Sequence, residues 1–230
     1  MAGETIKTEA ICLDIRPWSR TSHVITWLTP RGKVATVVKG AVRPKSAFLG
    51  QYDLNYTCEI LYYARAKGEL HALRDCCPLD LRENLREDYR VLVLAGYFRR
   101  LVGDFAPNGP DCRPWYDLLS RSLAECRARI PDLIRFELAV LGLSGLTPDF
   151  SGYDREADWS AFSIETGCYC SGEGRCVRVQ KEVAEYLSDP RGEAKKSQIP
   201  LDAARVIGVF YQFHLDCASD VRRAVLGMMR

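Results

Sequence analysis

Between Ile15 and Tyr52 the chain has no aspartate and no glutamate. Acids are plentiful elsewhere, since the 230 residues carry 30 Asp+Glu against 32 Lys+Arg. The window IRPWSRTSHVITWLTPRGKVATVVKGAVRPKSAFLGQY holds Arg16, Arg20, Arg31, Lys33, Lys39, Arg43 and Lys45, so its positive charge is local. A concentrated positive field on a small β-rich unit is the footprint of polyanion binding. The competing reading is a solvated face that keeps the chain soluble. A complete lack of acid over such a length favours the polyanion.

Other absences narrow the class. No apolar run is long enough to cross a bilayer without an intervening charge. The opening MAGETIKTEA has early acids and no apolar core, so it does not read as a signal peptide. For a bacterial source the expected setting is therefore the cytosol, with no membrane partner. There is no repeat and no low-complexity tract, and 47% hydrophobic against 27% charged residues argues for a folded protein. The glycines around Gly172 lack the Lys-Ser/Thr ending of a P-loop. Histidine is scarce: His23, His71 and His214 each fall in a strand or helix pattern, where packing is the simpler role. No arrangement of nucleophile and base stands out, and no enzymatic activity is expected.

Cysteine is the exception to this scarcity, with ten residues at 12, 58, 76, 77, 112, 126, 168, 170, 176 and 217. Without a secretion signal these are expected as reduced thiols, most of them small buried hydrophobes. Cys12, Cys58 and Cys126 are the clearest core candidates. Cys168, Cys170 and Cys176 alone are dense enough to suggest chemistry, as C-x-C-x5-C in a glycine-rich loop.

Along the chain, TEAICLDI (8–15), SHVITWL (22–28), KVATVVK (33–39), DLNYTCEILYYA (53–64) and ELHALRD (69–75) read as five strands. Pro30 and Gly32 suit a hairpin, and AVRPKSAFLGQ reads as a loop. A small antiparallel barrel is economical, because closure removes the edges. At Pro78 the period changes to about 3.6. Residues 81–105 predict a helix with Leu81, Leu85, Tyr89, Leu92 and Tyr97 or Gly96 on one stripe. Pro114 and Pro131 open the next helices, with Gly142 and Gly145 as stops. Residues 149–180 are irregular, 177–189 reads as a short helix, and 201–230 as a long one broken near Cys217.

Taken together, several segments resemble the RecO family of bacterial recombination mediators. LDIRPWSRTSHVITWLTPRGKVATVVKGAVRPKS is similar to that family's opening strands, with its "KGAxRPKS" loop. ELHALRDCCPLD resembles its closing strand, FELAVLGLSGLTPDFSGYD its central helix end, and FYQFHLDCASDVRRAVL its terminal helix. The resemblance implies an α+β protein. An N-terminal OB-type five-stranded barrel (1–79) would be followed by an all-helical domain (80–230) with a small irregular cysteine-containing insertion at about 149–177.

It also implies function: binding of single- and double-stranded DNA, strand annealing, and help in loading recombinase onto DNA coated with single-strand-binding protein. The implied partners are RecR, the acidic C-terminal tail of single-strand-binding protein and, indirectly, the recombinase filament. The implied location is cytoplasmic and nucleoid-associated. Lys39, Gly40, Arg43, Pro44, Lys45 and Ser46 fall on the family's loop, and Arg31 and Lys33 stand at the hairpin tip. Arg16 and Arg20 flank Trp18, the one aromatic expected to stack on bases; Trp27, Tyr52 and Tyr56 are expected in the core. The arginines at 82, 86, 90, 99 and 100 are candidates to extend the DNA track or to receive the acidic tail.

The resemblance brings zinc into question. The family's first cysteine pair would fall near SGYDREA (151–157), where this chain has Tyr153 and no cysteine. Three thiols are one ligand short of a structural zinc site. The expectation is a metal-free loop, with zinc the alternative if His214 or Cys217 folds back over it. Two other functions stay open: a protein–protein adaptor without DNA contact, and a metal- or thiol-dependent enzyme using residues 168–176.

Overall fold

The computed structural model describes residues 4–65, 68, 70–190, 198–215 and 219–229. The chain divides into two compact units, Met1–Cys126 and Arg127–Arg230. No helix among the described residues is long and apolar enough to cross a membrane.

The first unit is built on a closed barrel of β1 (Thr5–Ser19), β2 (Ser22–Thr29), β3 (Gly32–Val38), β4 (Thr57–Tyr63) and β5 (Leu70–Asp80). Its strand order is β1-β2-β3-β5-β4, closed by β1 against β4, which is the OB-type arrangement. The neighbours are antiparallel except β3 and β5, which run parallel. A ring of five strands cannot alternate direction throughout, so one parallel pair is the topological consequence of closure.

β1 is longer than the sequence pattern suggests because it serves two neighbours. Thr5–Ile11 pairs with β4, and Ile11–Ser19 pairs with β2. Register shifts at Cys12/Asp14 and Pro17/Ser19 let it bend between them. β5 runs through Pro78, which pairs with Cys58 of β4. The β3 pairing spans only Leu70–Ala72, so the missing N–H of Pro78 breaks no ladder on that side. Ala10, Cys12, Ile25, Trp27, Cys58, Ile60 and Cys76 fill the interior. Burial pushes the Cys12 thiol well above its ordinary pKa, so it stays protonated packing material. The barrel ends at Asp80, next to the boundary expected at 79/80, while the compact unit continues to Cys126.

That continuation is α1 (Tyr89–Phe105) and α2 (Arg113–Glu125). The helix expected from residue 81 starts only at Tyr89. Arg82 adopts a left-handed conformation (φ 52°), a single 3-10 turn follows over Glu83–Arg86, and Asp88 caps α1 by accepting from the Arg90 N–H. The delay rotates the apolar stripe. Val91, Leu94, Ala95, Phe98, Leu101 and Val102 are buried together with Leu85 and Tyr97 of the expected stripe, whereas its Leu81, Tyr89 and Leu92 face solvent.

In the second unit, α3 (Ile130–Leu143) begins with Pro131 in its first turn. It ends before Gly145, whose φ of 75° permits the Leu146 N–H to reach back to the Leu141 carbonyl. The stretch expected to be irregular contains a three-stranded sheet in the order β7-β6-β8, from β6 (Trp159–Ser163), β7 (Tyr169–Cys170) and β8 (Cys176–Gln180). The predicted helix at 177–189 therefore splits into β8 and α4 (Lys181–Ser188). Phe162 of β6 stacks on Phe150 at 4.9 Å and meets Phe210 of α5 (Gln198–Leu215) edge-on. α6 (Ser219–Met228) follows, and the break expected near Cys217 lies outside the described residues. Glu137 is fully buried and forms a bidentate pair with Arg222 of α6 at 2.7 and 2.8 Å. Gly208 makes room for that guanidinium; a Cβ there would lie 2.2 Å from it.

Candidate nucleic-acid interface

The acid-free window does not form one surface. Ser19 pairs with Ser22 at one end of β2, and Thr29 pairs with Gly32 at the other. Eight strand residues separate these ends by about 23 Å. The β1–β2 turn carries Arg20 and, at the end of β1, Arg16 and Trp18; the β2–β3 turn carries Arg31. The first strand was expected to end at residue 15, but β1 extends to Ser19 and places Arg16 and Trp18 on its end, with Arg20 just beyond.

The loop after β3 joins the first of these ends. Val38 pairs with His23, so Lys39 emerges beside the β1–β2 turn. The Val42 N–H reaches the Thr21 carbonyl at 3.4 Å, and the Gly40 N–H reaches Ser22 Oγ at 3.3 Å. Beyond this seam the chain forms successive i to i+3 turns: Arg43 N–H to the Gly40 carbonyl, Ser46 to Arg43, and Leu49 to Ser46. Pro44 sits where the second turn needs a fixed φ. Buried Ala41 and half-buried Phe48 anchor this loop in the barrel core, leaving Arg43 and Lys45 outside. Gly40, at φ 68°, bears the side-chain stem of Arg43, with the Arg43 Cδ 3.2 Å from where a Cβ would be.

Six of the eight predicted residues thus converge: Arg16, Trp18, Arg20, Lys39, Arg43 and Lys45. Trp18 falls between the Pro17 and Ser19 pairings, and this bulge turns its ring out to 65% exposure. Lys39, Arg43 and Lys45 are exposed, and neither they nor Arg20 form an ion pair among the described residues. Arg16 is partly spent, because Asp14, immediately outside the acid-free window, pairs with it.

The other two do not join the cluster. Arg31 is exposed at the far tip, and Lys33 Nζ donates to the Gly103 carbonyl in the last turn of α1 at 2.9 Å. A cation there meets the negative end of the helix, a packing role. Val42 and Leu49, 48% and 59% exposed, were passed over in the sequence. Their signal was the alternation with Ala41 and Phe48, legible only once those two are known to be anchors.

The core aromatics lie where they were expected. Trp27 is fully buried and donates to Thr36 Oγ1 at 2.8 Å, Tyr56 is buried, and the Tyr52 hydroxyl meets His23 Nδ1 at 2.8 Å. The arginines at 82, 86, 90, 99 and 100 each have a partner within the protein. Arg82 is buried and bonds Thr57, Ser120 and Asp80. Arg86 covers Tyr56 and pairs with Asp53, Arg90 pairs with its own cap Asp88, and Arg100 faces Asp104. Arg99 donates to the Leu13 carbonyl at the first β1 bulge, where the strand ladder skips a residue.

The cysteine loop does not assemble a zinc site from the residues described. Cys168 Sγ points to the Thr166 carbonyl, whereas Cys170 and Cys176 face each other with sulfurs 3.1 Å apart. His214 Nε2 lies 2.8 Å from the Ile164 carbonyl, which can only accept, so that nitrogen carries a proton and is no ligand. Among the described residues no group of three or more His, Cys, Asp or Glu side chains is placed to hold a metal. Cys217, the other expected partner, lies outside them.

Comparison with known proteins adds a second line. The family "Recombination protein O N terminal" matches residues 1–82, the barrel and the turn after it. The chain is similar to "DNA repair protein RecO" of Alkaliphilus metalliredigens, 30% identical over 176 residues, covering 72% of this chain and 70% of that one. It is also similar to the proteins of the same description from Desulforudis audaxviator (31% identical; 62% and 58%) and Roseiflexus (27%; 64% and 53%). Against these two it aligns with little more than half of the relative's length.

Proposed function

The chain belongs to the RecO family, and from that premise we propose that it is a DNA repair and recombination mediator whose barrel grips nucleic acid at the β1–β2 turn and the 39–49 loop. The observation that carries this reading is the convergence of Arg20, Lys39, Arg43 and Lys45, which pair with no acid among the described residues, around the outward Trp18. Cations of this kind contact phosphates, and phosphates carry no sequence information, so one surface serves unrelated single- and double-stranded DNA. An aromatic ring among them offers a stacking platform to an unpaired base. The same grip on two complementary strands would anneal them. With RecR it would help to load recombinase onto DNA coated with single-strand-binding protein. No bond-making chemistry is involved. The place of action is the cytoplasm, at the nucleoid.

Lys39→Ala combined with Arg43→Ala tests the grip. Binding to unrelated oligonucleotides should weaken roughly tenfold, and the salt dependence should flatten by about 1.4, some 0.7 per lost single-strand contact. Unchanged anisotropy titrations with a folded double variant would remove the assignment. Annealing of complementary oligonucleotides coated with single-strand-binding protein, with and without the chain, tests the wider function.

For the acidic tail of single-strand-binding protein we assign a pocket of about 310 Å³ in the second unit. Val183, Val206 and Val209 give it an apolar floor beside Trp159, and Arg178 stands on its rim with Arg205, which pairs with Asp202 at 2.7 Å. An acidic peptide with an apolar end matches both features. Val209→Asp should abolish binding of a fluorescent tail peptide while leaving DNA affinity intact; undiminished peptide binding would exclude this pocket.

The adaptor reading draws on Val42 and Leu49, apolar and exposed on the basic end. Absence of salt-sensitive DNA binding by the full chain would favour it.

A further inference from the structure

We propose that Cys170 and Cys176 form a reversible redox modification site, a dithiol that closes to a disulfide when the protein meets a peroxide. Three observations carry it. The first is the direct approach of the two sulfurs, 3.1 Å apart while both are free thiols. The second is how the fold produces that approach. β7 and β8 lie on either side of β6, with Cys170 opposite Ala161 and Cys176 opposite Ser163. Ala161 and Ser163 are two apart on one strand, so both cysteines project from the same face of the sheet.

The connection 171–175 must then cross that face of β6. It does so at the smallest side chain available: the position of a Cβ on Gly172 (φ 97°) is 3.9 Å from the Ala161 Cβ. Gly174, also at positive φ (80°), turns the chain back towards Cys176. The sulfurs therefore meet over β6 because two glycines and an alanine let the loop lie flat.

The third observation is access. Cys170 is exposed and Cys176 half-exposed, unlike Cys12, Cys58, Cys76, Cys112 and Cys126, which are buried. Solvent-accessible thiols with an adjacent resolving partner are the ones that oxidise reversibly. The roles within the pair follow from their contacts. Cys176 Sγ donates to the Glu173 carbonyl at 3.0 Å, whereas Cys170 is the more exposed sulfur and the one a peroxide reaches first. Cys170 is therefore the attacking group, reacting as its thiolate. Its sulfur takes the distal oxygen of the peroxide, the O–O bond breaks, and an alkoxide or hydroxide leaves with the electron pair. Cys176 then attacks the resulting sulfenic acid. The S–S bond forms, the S–O bond breaks, and the departing hydroxide takes the Cys176 proton to leave as water. The peroxide is reduced by two electrons and the thiol pair is oxidised by two. In a reducing cytoplasm such a bond is transient, as befits a sensor and not a staple.

The test uses the full chain. Trypsin cuts after Arg155, Arg175 and Arg178, so Cys170 and Cys176 fall on separate peptides, 156–175 and 176–178. After treatment with hydrogen peroxide, mass spectrometry should show these two peptides linked and their free forms depleted, with full reversal by dithiothreitol. Cys168→Ser should leave the linkage intact, and Cys170→Ser or Cys176→Ser should abolish it. A bond between Cys168 and Cys170 within one peptide would overturn the proposal. So would sulfinic acid on Cys170 with no linkage, or stoichiometric zinc in protein purified without chelators that protects all three thiols.

Discussion

Arginine is put to opposite uses in two regions of this molecule. Around the β1–β2 turn and the 39–49 loop, Arg20 and Arg43 stand in solvent with Lys39 and Lys45, and among the described residues no carboxylate balances them. On the helical side Arg82 and Arg99 turn inward and satisfy barrel atoms, and in the second unit Arg222 is locked on buried Glu137. Spacing along the sequence does not separate these uses. What separates them is whether the backbone leaves an acceptor within reach: the Leu13 carbonyl at a bulge, the Thr57 hydroxyl, a buried carboxylate. A guanidinium that finds such a partner becomes structural, and one that finds only water is free for a ligand.

The sharpest way to break this contrast is to truncate the most deeply paired cation. Arg222→Ala removes the bidentate partner of buried Glu137, and should cost about 3–5 kcal/mol in chemical denaturation. If stability barely changes, the buried pair is not what holds α6 to α3. Arg82→Ala should cost less, about 2 kcal/mol, because Asp80 is half exposed and only the Thr57 and Ser120 hydroxyls lose a buried donor. DNA affinity per folded molecule should stay at the parent value; a loss there would return Arg82 to the binding surface. At the other extreme, Trp18→Ala should leave the melting transition unmoved and weaken single-strand binding by about 1 kcal/mol. Equal weakening towards duplex DNA would mean the ring does not stack on bases.

Much of the fold was legible because the two periods are strong. The five strands, Pro114 and Pro131 in first turns and the glycine stop of α3 all follow local rules that tertiary contacts did not override. The α1 stripe was misread for a local reason. Arg82 in a left-handed conformation breaks the helix before it starts, and nothing in LRENLRED announces that conformation. The small sheet at 159–180 escaped notice because its strands are five, two and five residues long, too short for a period of two to declare itself.

For the candidate site, the acid-free window was visible as composition and the KGAVRPKS loop as a pattern. Their division was not. Composition sums charge along the chain, whereas a field is felt in space, and the turn at Gly32 carries Arg31 about 23 Å from the turn at Arg20.

By itself, then, the sequence determined the five barrel strands, the openings of α2 and α3, the core cysteines and aromatics, and the fact of a positive region, since these depend on neighbours a few residues apart. Only the tertiary structure decided which cations of Ile15–Tyr52 act together, which arginines are consumed, and that Cys170 meets Cys176 while Cys168 does not. Those outcomes depend on strand register, where a shift of one residue moves a side chain to the opposite face.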